Sequence, residues 1–123
     1  SSDNPVPGSP YPDPRTPIPG EEDMDRGEVF IDQSDILILE SYPPQFVLHI
    51  VGHLPTPCHH LRAVVSEPNE QNQIQVEVYS LVDPDEICAQ MLEPFESRIR
   101  LGSYEPGKYT VIVNGVSVGE IDA

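Results

Sequence analysis

Near the C-terminus the chain reads Pro106-Gly107-Lys108-Tyr109-Thr110-Val111-Ile112-Val113-Asn114-Gly115-Val116-Ser117-Val118. Tyr109, Val111 and Val113 alternate with Lys108, Thr110 and Ile112, the period of a strand that buries one face. Asn114-Gly115 then separates two such runs by two residues. That is the strongest short-range hairpin signal, because a type I′ turn needs positive φ at both central positions. Working outward, the hairpin predicts a sheet, and the rest of the chain supplies strands to pair with it.

Upstream lie Glu28-Val29-Phe30-Ile31, Ile36-Leu37-Ile38-Leu39, Phe46 to His53, Leu61 to Val65, and Ile74-Gln75-Val76-Glu77-Val78-Tyr79. Ile99 and Leu101 then alternate with Arg98 and Arg100. Between these runs sit Tyr42-Pro43-Pro44, Leu54-Pro55-Thr56-Pro57, Pro68-Asn69-Glu70, Asp83-Pro84-Asp85 and Glu105-Pro106-Gly107, which are turn chemistry. The best helical candidate, Asp85 to Leu92, is stopped by Pro94. Short alternating runs with frequent turns predict an all-β fold, an antiparallel β-sandwich of seven or eight short strands over residues 28–123. Its expected core includes Ile74, Val76, Val78, Ile99, Leu101, Tyr109, Val111 and Val113.

Residues 1–27 read differently. Seven prolines fall within the first twenty positions, among Ser, Asp, Asn and Gly, and Glu21-Glu22-Asp23-Met24-Asp25 follows with like charges. Each proline fixes φ and removes a backbone donor. The expectation is a disordered, semi-rigid linker, of which residues 1–26 are dispensable for folding.

Charge narrows the function. The 123 residues carry 21 acidic and six basic side chains, a net charge of −15. Phosphate binding needs clustered Lys and Arg, so nucleic acid is not an expected partner, nor is an anionic membrane surface. No run reaches the roughly 18 apolar residues of a membrane helix. Cys58 and Cys88 are expected to form one disulfide, which implies an oxidising, extracytoplasmic compartment.

The segment Leu101-Gly102-Ser103-Tyr104-Glu105-Pro106-Gly107-Lys108-Tyr109-Thr110-Val111 resembles the corner before the penultimate strand of immunoglobulin-like and fibronectin-like domains. The resemblance implies that the Tyr109 hydroxyl bonds back to the preceding loop. The chain lacks the buried Trp of antibody-type domains, and its cysteines fall in loops rather than mid-strand. The layout of acidic proline-rich spacer and Pro-Gly-x-Tyr-x-Val-x-Val-Asn-Gly segment is also similar to small uncharacterised domains of exported bacterial lipoproteins. A lipid-bearing Cys would then lie upstream of Ser1.

His49, His53, His59 and His60 surround Cys58 in sequence. His49 and His53 share a strand face at about 13 Å, too far for one ion. His59 and His60 are the candidate ligands if their loop turns them together. Gly115-Val116-Ser117-Val118-Gly119 spells G-x-S-x-G but lacks the following helix and a later His that a serine hydrolase needs. The acidic clusters lack an EF-hand pattern. No cofactor is expected. The sequence therefore predicts a monomeric, non-enzymatic, exported module that binds a protein or glycan through Pro43, Pro44, Pro55, Pro57, His59 and His60, expected at one end beside the Asp83–Glu86 loop. The alternatives are a protease inhibitor presenting a proline-edged loop and a histidine-based Cu or Zn carrier.

Overall fold

The protein is described by a computed structural model, in which residues 13–123 are placed. A single 3-10 turn, Glu21–Asp23, precedes eight strands: β1 Asp25–Gly27, β2 Phe30–Leu39, β3 Gln45–Leu54, β4 His60–Val65, β5 Gln73–Val82, β6 Glu93–Gly102, β7 Lys108–Val113 and β8 Val116–Asp122. One sheet runs β2-β3-β6, and the other joins β1, β4, β7 and β8 around β5. The architecture is an all-β sandwich. The helical candidate at Asp85 to Leu92 is instead an irregular loop, held at Cys88 by a disulfide to Cys58. A turn opens the segment, with the Glu86 N–H donating to the Asp83 carbonyl at 3.1 Å, and Pro94 leaves too few residues beyond it for a stable helix.

Alternation places the core. Phe46, Leu48, Ile50, Leu54, Phe95, Ile99 and Leu101 from one sheet face Ala63, Ile74, Val76, Val78, Tyr109, Val111, Val113 and Ile121 from the other. All eight residues expected in the core are there. The Tyr109 hydroxyl donates to the Glu105 carbonyl at 2.9 Å, and its ring lies 5.2 Å from that of Tyr104. The phenol is thus satisfied at the edge of an apolar interior, where an unpaired hydroxyl would be costly.

The Asn-Gly hairpin forms, with Asn114 at φ 49° and Gly115 at φ 85°. Its second role concerns β5. Most ladders are antiparallel, but β5 and β7 pair in parallel, from Gln73 opposite Thr110 to Val76 opposite Val113. The expectation of a purely antiparallel sandwich is corrected at this junction. The same edge of β5 is taken further along by β1, from Gly27 opposite Ser80 to Asp25 opposite Val82. Between these pairings Val78 has β4 on its other side but no strand on this edge. The Asn114 side chain fills that gap: the Val78 N–H donates to Asn114 Oδ1 at 2.8 Å, and Asn114 Nδ2 donates to the Val78 carbonyl at 3.0 Å. Gly119, the other glycine of the G-x-S-x-G spelling, lies in β8 where an added Cβ would sit 2.8 Å from Ile36 Cδ1. Both glycines are accounted for by turn geometry and sheet packing.

The largest departure from the sequence reading is the segment 13–27. Residues 1–12, which held four of the expected linker's prolines, lie outside the described residues. From Asp13 onward the chain is strapped to the sandwich. The Ala63 N–H donates to the buried Pro14 carbonyl at 2.9 Å, and Arg62 Nη1 donates to the same oxygen. Arg15 Nη1 donates to the Arg100 carbonyl at 2.8 Å. The strap thus spans from β4 to β6 and closes one side between the two sheets. The Arg62 guanidinium is buried beneath it, with Nε 3.4 Å from Glu21 Oε1. β1 then completes the five-stranded sheet. The domain accordingly begins no later than residue 13, not at 28. Proline excess misled here because Pro14 needs no donor of its own: its carbonyl serves an edge strand.

Candidate functional site

β3 carries its two flanking turns to opposite ends of the molecule. Pro43 and Pro44 precede Gln45, whereas Pro55, Pro57, His59 and His60 follow Leu54; ten strand residues separate them by about 30 Å. The expected single loop end is therefore divided. Ser103 Oγ donates to the Pro44 carbonyl at 2.9 Å, so Pro43 and Pro44 belong with the β6–β7 turn. The structure keeps Pro55, Pro57, His59 and His60 with the Asp83–Glu86 loop, because His60 pairs with Leu81 across β4 and β5.

At this second end the Cys58–Cys88 disulfide joins the β3–β4 and β5–β6 loops, across 30 positions of sequence. Thr56 organises the first loop. Its hydroxyl accepts from the Cys58 N–H at 3.2 Å and lies 2.8 Å from His59 Nδ1, while its carbonyl accepts from the His59 N–H. Partial burial, and secondarily His60 beside it, lowers the His59 pKa from the ordinary imidazole value of 6.5. The other face of that ring meets Gly27, where an added Cβ would fall 3.0 Å from Cδ2 and Nε2. The second loop does the opposite of packing: Ile87 is 99% exposed, and Met91 and Leu92 are 59% and 54% exposed. Asp83, Asp85 and Glu86 precede them in sequence and Glu93 follows.

Beside the stapled loops a cleft of about 540 Å³ opens between the two sheets. The strap forms one wall through Asp13, Thr16, Pro17, Ile18 and Pro19; Leu54, Pro57 and His59 to Leu61 form another, and Glu93 to Ser97 the third. Most of this lining is apolar. Its charged members are Asp13, Glu93 and Glu96, with no Lys or Arg among them. The buried Ser97 hydroxyl has no hydrogen-bond partner among the described residues.

The remaining histidines serve the outer face of the β2-β3-β6 sheet. His49 Nε2 lies 2.6 Å from Glu96 and Nδ1 3.7 Å from Asp35, while His53 Nδ1 lies 2.8 Å from Asp32. These cross-strand pairs were not read from the sequence, though register places Asp35 opposite His49. Among the described residues no group of three or more His, Cys, Asp or Glu is arranged to hold a metal ion. A second, shallower groove of about 870 Å³ runs past Asn114 over Glu77 and Tyr79. There Arg26 pairs with Glu77 at 2.7 Å and stacks 4.1 Å over the Tyr79 ring. No described helix is long and apolar enough to cross a membrane.

A sandwich stapled at one end and strapped along one side defines a small non-helical domain, and sequence comparison gives its family. The chain belongs to the ORF11 beta-sandwich domain family, whose model matches residues 48–122. It is similar to an uncharacterised 10.2 kDa protein in the HgiCIIM 5′ region of Herpetosiphon aurantiacus, with 32% identity over 90 residues, 72% of this chain and 95% of that protein. Two further uncharacterised 10.2 kDa proteins, in the HgiBIM and HgiEIM 5′ regions of the same organism, are each 36% identical over 81 residues, 63% of this chain and 94% of theirs. No solved structure matches significantly.

Proposed function

We propose that this chain is a non-catalytic, exported interaction module that binds a basic protein partner through its stapled end. The observation that carries the reading is the exposure of Ile87, Met91 and Leu92 on a loop tied by a disulfide and flanked by carboxylates. A fully exposed isoleucine gains nothing for the fold, whereas on a pre-ordered loop it offers a binding anchor at small entropic cost. A glycan presents few apolar faces to such a side chain, so a protein is the better match. The surrounding acidic groups favour a partner of positive charge. The disulfide supports an extracytoplasmic location. The immunoglobulin-like corner adds a scaffold whose loops commonly carry recognition.

Affinity capture from the native source tests the reading. A defined partner recovered in constant ratio should be lost with Ile87→Asp and weakened by raised salt, while Ile38→Asp at a distant exposed site should retain it. Retention by Ile87→Asp would refute the assignment. Ile87 beside Cys88 also favours a second reading, protease inhibition, since a stapled and fully exposed residue can occupy a protease subsite. Leu54 and Thr56 are buried and cannot be offered in that way. A protease panel with wild-type and Ile87→Asp protein distinguishes this from simple binding.

A further inference from the structure

The cleft beneath the strap is more specific than the exposed loop beside it. Leu54, Leu61 and Phe95 line it from the inward faces of both sheets, and Pro17, Ile18 and Pro57 close it from outside. Its volume of about 540 Å³ lies within the usual range of ligand sites. At its wall Ser97 is 1% exposed and its hydroxyl has no partner among the described residues. Buried hydroxyls are ordinarily hydrogen-bonded, and exceptions need a reason. Asp13 and Glu93 bring carboxylates to the lining, which holds no Lys or Arg.

We propose that this cleft binds an extended peptide segment of the partner, inserting an apolar side chain between the sheets with a Lys or Arg beside it at the acidic rim. The inference rests on the stapled end being the binding end. An alkyl chain would suit the apolar walls but would leave Ser97 unpaired. A peptide backbone supplies both a donor and an acceptor, and so satisfies the hydroxyl. Its flanking cation meets the carboxylates of Glu93 and Asp13. The Glu96 carboxylate lies on the outer face of the sheet, 2.6 Å from His49, and takes no part, whereas His59 shapes the wall and keeps its contact with Thr56.

The test uses the full chain and a short labelled peptide of alternating leucine and lysine, with serine–lysine and leucine–glutamate counterparts. Anisotropy should show binding of the first alone, and amide chemical shifts should move at Leu61, Phe95 and Ser97. Ser97→Ala should weaken binding roughly fivefold, the worth of one hydrogen bond, with no loss of stability because it removes an unpaired hydroxyl. Thr16→Trp, built on an exposed strap position, should block the cleft and abolish binding without unfolding the domain. Equal binding of the serine–lysine peptide, with shifts spread over the acidic surface, would mean diffuse charge attraction and overturn the proposal. If Ile87→Asp removes the natural partner while Ser97→Ala and Thr16→Trp do not, the loop reading stands and the cleft reading falls. Preference for a small amphipathic amine over the peptide would overturn the peptide assignment.

Discussion

Replacing Asn114 separates two roles that one residue combines. Its backbone sits at φ 49°, the left-handed region, where an L-residue without local hydrogen bonding is disfavoured by about 1–2 kcal/mol. Its side chain holds both backbone groups of Val78, at 2.8 and 3.0 Å. Asn114→Gly keeps the turn and deletes the two bonds, each worth about 1 kcal/mol net. Val78 would then look into the open groove that Asn114 lines, where water replaces part of what is lost. The expected cost is therefore about 2 kcal/mol rather than the larger penalty of a dry, unpaired amide. Asn114→Ala loses the same bonds and adds backbone strain, about 3 kcal/mol in all. In urea denaturation both should lower the midpoint with an unchanged slope, by about 1–2 M for a small domain. The order should be wild type, then Gly, then Ala. If Asn114→Gly matches the wild type, the Val78 clamp contributes nothing and the account of the β5 edge is wrong.

Three further outcomes follow from the strap, the staple and the histidine. Deleting residues 1–27 removes β1, the strap's hydrogen bonds to Ala63, Arg62 and Arg100, each worth about 1 kcal/mol net, and the cover over the apolar cleft, while Arg62 becomes solvated; calorimetry should show a melting temperature at least about 10 °C lower, and an unchanged one would restore the linker reading. Cys58→Ser with Cys88→Ser opens a loop of 30 positions, for which the chain-entropy model gives about 3–4 kcal/mol; chemical denaturation of the double variant should show that loss, and equal stability would make the staple energetically idle. Because the folded pKa of His59 lies below 6.5, the unfolded chain binds its proton first, so stability is full above 6.5 and falls as pH drops from there toward the folded value; His59→Asn should flatten that part of the pH–stability curve relative to wild type, and parallel curves would contradict the shift.

The strands and core were legible because they depend on local pattern. Tyr109, Val111 and Val113 alternate, Asn114-Gly115 turns the chain, and Ile74, Val76 and Val78 can face only one way if they are to leave water. What could not be read depends on contacts far apart in sequence. Nothing in Lys108–Val113 specifies that it lies parallel to β5. That arrangement follows from closing the sheet around β5 with Asn114 in the gap. The strap was missed because Pro14 acts through its carbonyl, and because a lone Arg62 in an apolar run reads as exposed until a segment 48 positions upstream covers it. Of the candidate site, Pro55, Pro57, His59 and His60 were placed with the acidic loop by turn chemistry. Pro43 and Pro44 were misplaced because the length of β3, from Gln45 to Leu54, decides the end to which each turn belongs. Ile87, Met91 and Leu92 left no sequence signal: they fall within the helical candidate Asp85 to Leu92, and their exposure appears only in the folded loop.

Placing a photo-crosslinking side chain at position 87 in the native host, with position 105 at the opposite end as control, tests the binding end most directly. Crosslinking to a defined basic protein from position 87 and not from position 105 is the expected result. Equal yield from both positions, or capture from position 105 alone, would contradict it.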